Sequence, residues 1–351
     1  LKRFDKTNEK LMAITIKDIA GKAGVSISTV SLVLNQKGYV APVTKKKIQT
    51  VIDDLSYRPL HSARKLATKQ TGNFGFIVWE GHFSEVEMFY SQVFLGMEYA
   101  ARKNDYYILL TTVRDKFDPK EDLPRFLRYK DVDGVALAGR VPEPLIRYLD
   151  HQQIPFVLVD YEIPGENYNC IKIDNYNGAF RAVENLILSG RKHIAFVGGT
   201  FFHPSIKERH RGYWEALEKH GLNNNHGDNY SYCENVETSR SIGEKGALHL
   251  LEKYPEIDAI FSCNDTTAMG VISGIQRLKK KIPEDIAVFG FDDIPTAEFS
   301  TPKLSTIHVP KLEIGKEAYK LLYELIQHPK MAPQTRIISV DTLIRESSSN
   351  S

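Results

Sequence analysis

"TIKDIAGKAGVSISTVSLVLN", Thr15 to Asn35, holds two short amphipathic segments separated by a single turn glycine, Gly24. Thr15 and Asp18 form a T-x-x-D capping box, which predicts a helix start at that point. Ile16, Ile19, Ala20 and Ala23 recur at helical spacing and give this helix one apolar face. Gly24 ends it, because glycine tolerates the left-handed backbone that a tight turn needs. Ser26 is placed to cap a second helix running to about Leu34, with Val30, Val33 and Leu34 inward. Leu32 points about 200° away from Val30, toward the outside, beside the serines. A third helix is expected from about Pro42 to Leu55, with Val43, Ile48, Val51, Ile52 and Leu55 as its apolar stripe and Lys45, Lys46 and Lys47 at its start. Two short helices joined by a glycine turn make a helix-turn-helix, whose second helix enters the DNA major groove. A plain helical hairpin has the same pattern.

The 351 residues suffice for two or three domains. Residues 1–70 carry 14 Lys+Arg against 5 Asp+Glu, and the remainder carries 32 against 39. A basic head on an acidic body points to a nucleic-acid-binding module joined to something else, with a solvated basic tail as the plainer alternative. No apolar run reaches the roughly 18 residues of a membrane span, and LKRFDKTNEKLMA lacks the apolar core of a signal peptide. The expected location is therefore the cytoplasm, with no membrane partner. Residues 1–14 are expected to be an extension without fixed structure. Cys170, Cys233 and Cys263 form no CxxC pair and read as reduced, partly buried thiols.

Residues 57–72, YRPLHSARKLATKQTG, hold a basic, helix-compatible segment after Pro59 that by itself reads equally well as a linker. Taken together, "TIKDIAGKAGVSISTVSLVLN" and "YRPLHSARKLATKQTGNFG" resemble the head and hinge of the lactose/galactose repressor family, and the resemblance runs from Thr15 to Arg345. It implies a sequence-specific transcriptional regulator, foremost a repressor, that binds a pseudo-palindromic operator in double-stranded DNA as a homodimer. It places Ile27, Ser28 and Leu32 at base-reading positions. It places Thr15, Ser26, Thr29, Ser31, Asn35 and Tyr57 near phosphates. Leu66 becomes the hinge leucine wedged into the minor groove, with Ala63 in the same groove. Two positions depart from the family pattern. Leu32 stands where arginine, suited to guanine, is common, and Leu60 where asparagine is common.

From Asn73 the pattern becomes apolar strands alternating with amphipathic helices. "NFGFIVWE", "YYILLTTV", "VDGVALAG", "PFVLVDYE", "CIKID", "HIAFVGG", "AIFSCND", "IAVFGFD" and "LSTIHV" read as strands. Continuous apolar strands between helices mean parallel sheets covered on both faces, and their number exceeds one compact sheet. Ligands in such folds bind beyond the carboxyl ends of the strands. There the chain carries Glu80, Asp160, Asn264-Asp265 and Asp292-Asp293, with Arg209 in a nearby loop and Phe89 and Tyr90 opening a helix. Carboxylates, an amide, an arginine and aromatic faces suit a polyhydroxylated ligand. Each also has a plainer role: Asp174, Asp265 and Asp292 as caps, Arg209 in a surface pair, and Phe89, Tyr90 and Trp214 in the core.

The family resemblance, carried here by "SIKERHRGYW", "FSCNDTTAMG" and "VFGFDDIPTAEFSTPKLSTIHVP", implies a body like a periplasmic sugar-binding protein. It implies effector contacts from Arg209, Asn264 and Asp292, joined by Phe89 and Asp160. The family often adds an aromatic from the region of Tyr232–Arg240, and none aligns here. The end of the chain, "TLIRESSSNS", shows no leucine heptads of the kind that build tetramers in some relatives, which favours a dimer.

The expected architecture is an all-α helix-turn-helix DNA-binding head on an α/β body of two doubly wound parallel-sheet lobes. The head spans 15–58, the hinge helix and linker 59–72, the body 73–345 and a tail 346–351. Within the body, one lobe takes about 73–173 and 304–335, and the other about 174–303 and 336–345. No catalytic residue, cofactor or metal is expected, since there is no G-x-x-x-x-G-K-[ST] loop, no G-x-S-x-G elbow and no zinc spacing. Two other readings compete: a sugar-binding transport or sensing protein without DNA regulation, and an α/β enzyme acting on a sugar or nucleotide.

Overall fold

The computed structural model describes residues 14–34, 38–55, 57, 70–82, 88–201, 203–222, 230–234 and 238–349. The chain divides into two units, residues 1–71 and 72–351.

In the first unit, α1 (Ile16–Ala23), α2 (Ile27–Leu34) and α3 (Pro42–Asp54) enclose a small core. The Thr15 amide donates to Asp18 Oδ2 at 2.8 Å and the Asp18 amide to Thr15 Oγ1 at 3.4 Å, which completes the capping box. Gly24 adopts φ 60° and closes α1 on the carbonyls of Ala20 and Gly21. Ser26 Oγ accepts from the Thr29 amide at 3.1 Å, the capping role read from its position. Ile19, Ala23, Val30, Val33, Ile48 and Ile52 fill the centre, and the Tyr57 ring packs with them. Val43 does not belong to the α3 stripe as expected, because it is 82% exposed. The helical period explains this: Val43 precedes Ile48 and Ile52 by five and nine residues, roughly 140° and 180° around the axis.

The second unit contains two parallel sheets. The first has the order β2 (Tyr107–Val113), β1 (Asn73–Trp79), β3 (Gly134–Ala138), β4 (Phe156–Val159), β5 (Cys170–Ile173) and β11 (Thr335–Ile338). Successive residues of β1 serve opposite faces: Phe74, Phe76 and Val78 join one cluster, and Ile77 joins the other. On the first face lie α4 (Phe89–Ala101) and α12 (Lys311–Gln327), pressed so close that a Cβ on Gly315 would stand 1.9 Å from the Val93 carbonyl oxygen. On the second face lie α5 (Arg125–Arg128) and α6 (Glu143–His151). Val93, Met97 and Ala101 of α4 are buried as their spacing predicts.

The second sheet has the order β7 (Ser231–Cys233), β6 (Ile194–Gly198), β8 (Ala259–Ser262) and β9 (Ala287–Phe289), all parallel. The helices α7 (Asn175–Leu188) and α8 (Pro204–Lys219) cover one face, and α9 (Arg240–Lys253) and α10 (Asp265–Arg277) the other. A short α11 (Pro295–Phe299) follows β9.

The chain crosses between the lobes three times: from β5 into α7, from β9 through β10 (Thr306–His308) to α12, and from β11 to β12 (Asp341–Leu343). Two boundaries differ from expectation. Strand β11 pairs with β5, Thr335 opposite Cys170, so the last crossing follows Ile338 rather than residue 335. The segment read as "LSTIHV" holds β10, which pairs antiparallel with β12 in a two-stranded ribbon at the crossing and meets the end of β9 only through isolated parallel bridges, Ser305 to Phe289 and His308 to Asp292. Residues 346–349 are not a loose tail either: Val288 N donates to the Ser347 carbonyl at 2.8 Å, and Ser347 and Ser348 are buried. Trp214 is half-buried against the core. The thiols of Cys170, Cys233 and Cys263 are free, with Cys170 and Cys263 buried.

Candidate functional site

In the first unit the candidate reading face is the outer side of α2. Ile27 is 47% exposed and Leu32 39%, and Ser28 is exposed between them in direction. Leu32 leans on the following loop, where its Cδ2 lies 3.4 Å from the position a Cβ on Gly38 would take. Thr15 and Ser26 are exposed, while Thr29 and Ser31 are half-buried. Ser26 and Thr29 also share a hydroxyl bond of 2.8 Å, so helix capping and the outer face use the same two residues. Lys45, Lys46 and Lys47 are exposed at the start of α3. Tyr57, expected near phosphates, has its ring in the core and leaves 9% of its surface open. Asn35, Ala63 and Leu66 lie outside the described residues.

In the second unit a cleft of about 150 Å³, open to solvent, lies at the carboxyl ends of both sheets. Phe89, Asp160, Arg209, Asn264 and Asp292 all line it. Asp160 ends β4 at φ 55°, and its two oxygens accept from Tyr90 Oη at 3.1 Å and from Ser205 Oγ at 2.7 Å. Tyr90 belongs to the first lobe and Ser205, near the start of α8, to the second.

Arg209, one turn further along α8, is held from every side. Its Nε donates to Asn175 Oδ1 and its Nη1 to the Cys263 carbonyl, both at 2.7 Å. Its Nη2 lies 2.9 Å from Asp292 Oδ1, and the guanidinium stacks 3.7 Å above the Phe291 ring. Asp292 Oδ1 is closed off from solvent, so its contact with Arg209 is a buried ion pair. Burial pushes the Asp292 carboxyl above the usual range, and Arg209 and Lys311 oppose that shift.

Asp292 has φ 106°, a strained backbone for a residue with a side chain. Lys311 of α12 holds it there, donating to the carbonyls of Asp292, Asp293 and Val309. Burial lowers the affinity of this ammonium for its proton, and the carboxylates of Asp292, Asp265 and Asp293 raise it.

The remaining carboxylates separate. Asp265 is fully buried behind the wall, accepting from Thr306 Oγ1 at 2.6 Å and the Ile294 amide at 2.9 Å, and is not a helix cap. Asn264 is the cap of α10: its Oδ1 accepts from the Thr267 amide at 2.9 Å, while its Nδ2 donates to Thr238 at 3.0 Å. Asp174 caps α7. Asp293 turns away from the cleft to Arg345 and His308, at 2.8 and 2.7 Å. Glu80 does not line the cleft and pairs with Arg114 near the surface. Reading the sequence missed Trp79, His82, His203, Ser205 and Thr238 in the lining. Trp79, His203 and Ser205 adjoin strand or helix ends that point to this edge, so the carboxyl-end rule was the available signal.

Residues 15–59 match the family described as bacterial regulatory proteins, lacI family, and residues 183–348 match the periplasmic binding protein-like domain. The chain is 33% identical over 315 residues to the HTH-type transcriptional repressor PurR of Vibrio campbellii, covering 89% of this chain and 92% of that protein. It is 30% identical over 342 residues to the HTH-type transcriptional regulator CelR of Thermobifida fusca, covering 95% and 98%. The chain belongs to the lacI family of bacterial regulatory proteins. It is a DNA-binding transcriptional regulator whose body answers to a small-molecule effector, and a sugar-binding protein without DNA regulation is not favoured. Among solved structures, the transcriptional regulator CelR–cellobiose complex is similar at 27% identity and TM-score 0.71, covering 95% of this chain and 99% of that one. The lac repressor dimer bound to operator and the anti-inducer ONPF, at 22% identity and TM-score 0.79, shares the fold, covering 95% and 99%.

Proposed function

We propose that this regulator is a repressor that binds a pseudo-palindromic operator as a homodimer and is controlled by a sugar or sugar derivative held in the cleft. The observation that carries the effector reading is the lining of the cleft, which joins two carboxylates, an arginine, an amide and aromatic faces between two lobes. Ionised carboxylates accept hydroxyl protons, and the rings of Phe89 and Trp79 offer apolar faces to the C–H side of a sugar ring. Effector binding changes the equilibrium between lobe arrangements by its differential affinity for them, and the same free energy appears in operator affinity.

In this reading Ile27, Ser28 and Leu32 face base edges, and Thr15, Ser26, Thr29, Ser31 and Asn35 face phosphates, with Tyr57 contributing no more than its rim. Leu66 and Ala63 act in the minor groove at the centre of the operator. Arg209, Asn264 and Asp292 contact the effector, and Phe89 and Asp160 complete the site. The protein works on chromosomal DNA in the cytoplasm and catalyses no reaction.

Mobility shift on the DNA upstream of the protein's own gene, at stated salt because phosphate contacts dominate affinity, is the direct test. A specific shift that a carbohydrate releases or strengthens is expected. Absence of any specific shift, with and without a carbohydrate panel, rejects the repressor reading.

A further inference from the structure

The charge pattern of the cleft selects among carbohydrates, an inference that rests on the carbohydrate reading above. Arg209 is the one lysine or arginine in its lining among the described residues. Its charge is already matched by Asp292 at 2.9 Å, and its Nε and Nη1 donate within the protein to Asn175 and the Cys263 carbonyl. The next cation, Lys311, spends its ammonium protons on three backbone carbonyls and is not part of the lining. Against Arg209 stand two carboxylates, Asp160 and Asp292.

Of the residues that adjoin cleft residues in sequence, FSEVE at 83–87 and NVE at 235–237 contain glutamates, and neither they nor Phe202 contribute a lysine or arginine. His203 Nδ1 accepts from the Ser205 amide at 3.3 Å, and His82 stacks on Tyr90 at 5.2 Å between ring centroids. The site therefore presents carboxylates in excess and no unmatched lysine or arginine among the described residues.

We propose that the cleft takes an uncharged, polyhydroxylated ligand and discriminates against phosphorylated sugars and sugar acids. Hydroxyl groups donate to Asp292 and Asp160 without bringing charge. A phosphate or carboxylate brings like charge to two partly desolvated carboxylates with no unmatched lysine or arginine among the described lining residues to meet it, and such juxtapositions are strongly unfavourable.

The test is titration calorimetry of the intact protein with matched neutral and anionic probes: glucose, glucose 6-phosphate and gluconate; ribose and ribose 5-phosphate; cellobiose and cellobionate. The expected result is binding of a neutral member with its anionic counterpart at least about 100-fold weaker, as like-charge repulsion at a buried site predicts. An anionic member that binds as tightly as its neutral partner overturns the inference while leaving the carbohydrate reading standing. Binding by none of the probes rejects the carbohydrate reading and the inference with it. Thr238→Lys, which adds a cation to the lining, is expected to narrow the gap between neutral and phosphorylated members by about tenfold or more. Asp160→Asn gives the same readout with one carboxylate removed. A gap unchanged in both variants overturns the inference, because shape rather than charge would then exclude the anion.

Discussion

Ser205 Oγ donates to Asp160 Oδ1 at 2.7 Å, a bond from the first turn of a second-lobe helix to the end of a first-lobe strand. Tyr90 supports the same carboxylate from the first lobe at 3.1 Å. One side chain thus both lines the effector cleft and ties its two walls together. Under the proposed function, a ligand hydroxyl that reaches Asp160 would compete with Ser205 or add to its coordination, and so bear on the angle between the lobes.

Ser205→Ala tests that tie. It leaves a buried carboxylate short of one donor, which costs about 1–3 kcal/mol. The expected outcome is a lower unfolding temperature of the ligand-free protein and a larger radius of gyration by X-ray scattering, from opened lobes. An unchanged scattering profile argues that other contacts hold the lobes.

Asp292→Ala removes the partner of a buried arginine. Breaking such a pair typically costs about 3–5 kcal/mol, because the remaining charge is left uncompensated. Denaturant unfolding is expected to show that loss, and the thermal stabilisation given by the effector is expected to vanish. Asp292→Asn, which keeps the shape, separates the two effects: most of the stability returns while the effector-induced shift stays small. A full effector shift in Asp292→Asn means that a different carboxylate carries the ligand.

Asp265 predicts a pH dependence of stability. Burial, with the charge of Asp292 adding to it, pushes its carboxyl from an ordinary value near 3.8 up to about 8. Between those values the folded state holds a proton that the unfolded chain has released. Stability therefore falls as pH rises from about 4 toward 8, and the loss is complete above that. Asp265→Asn keeps an acceptor for the Ile294 amide and a donor for Thr306 while removing the titration. Unfolding temperature measured from pH 6 to pH 9 is expected to decline less in Asp265→Asn than in the parent protein. Equal slopes assign the dependence to other groups.

Leu32→Arg addresses the reading face. A leucine packs on a thymine methyl but cannot bond guanine, whereas an arginine donates twice to guanine O6 and N7 and discriminates by about 1–3 kcal/mol. Selection from randomised operators is expected to shift the preferred base at one symmetric pair of positions toward guanine. An unaltered preference makes Leu32 an exposed neighbour of the groove and no reader of it.

Local chemistry made part of the molecule legible in advance. The start of α1 is set by bonds between Thr15 and Asp18, three residues apart, and its end by a glycine at φ 60°, so both signals are complete within a few residues. The strands β1, β3, β4, β6 and β8 are short apolar runs that are buried on both faces, and such runs have few other ways to satisfy the hydrophobic effect. The five proposed effector contacts meet in one cleft because strand ends converge at one edge of each sheet.

What escaped the sequence has long-range causes. Strands β7, β11 and β12, reading SYC, TRII and DTL, are short and partly polar, and only their partners make them strands. The ring of Tyr57 is buried because of how the segment after α3 packs on the other helices, whereas the exposure of Val43 was legible in the helical period.

The sequence by itself determined a basic three-helix head, its caps and turn, the alternation of strands and helices, and the ends at which polar residues gather. Only the tertiary structure decided what each of those polar residues is. Glu80, Asp160, Asp265 and Asp292 all follow apolar strands, yet one pairs near the surface, two line the cleft and one is buried behind it. Their local sequences are too alike to predict this. The charge state and hydrogen bonding of a carboxylate depend on desolvation and on donors such as Ser205, Arg209, Thr306 and Lys311, which the fold brings in from distant parts of the chain.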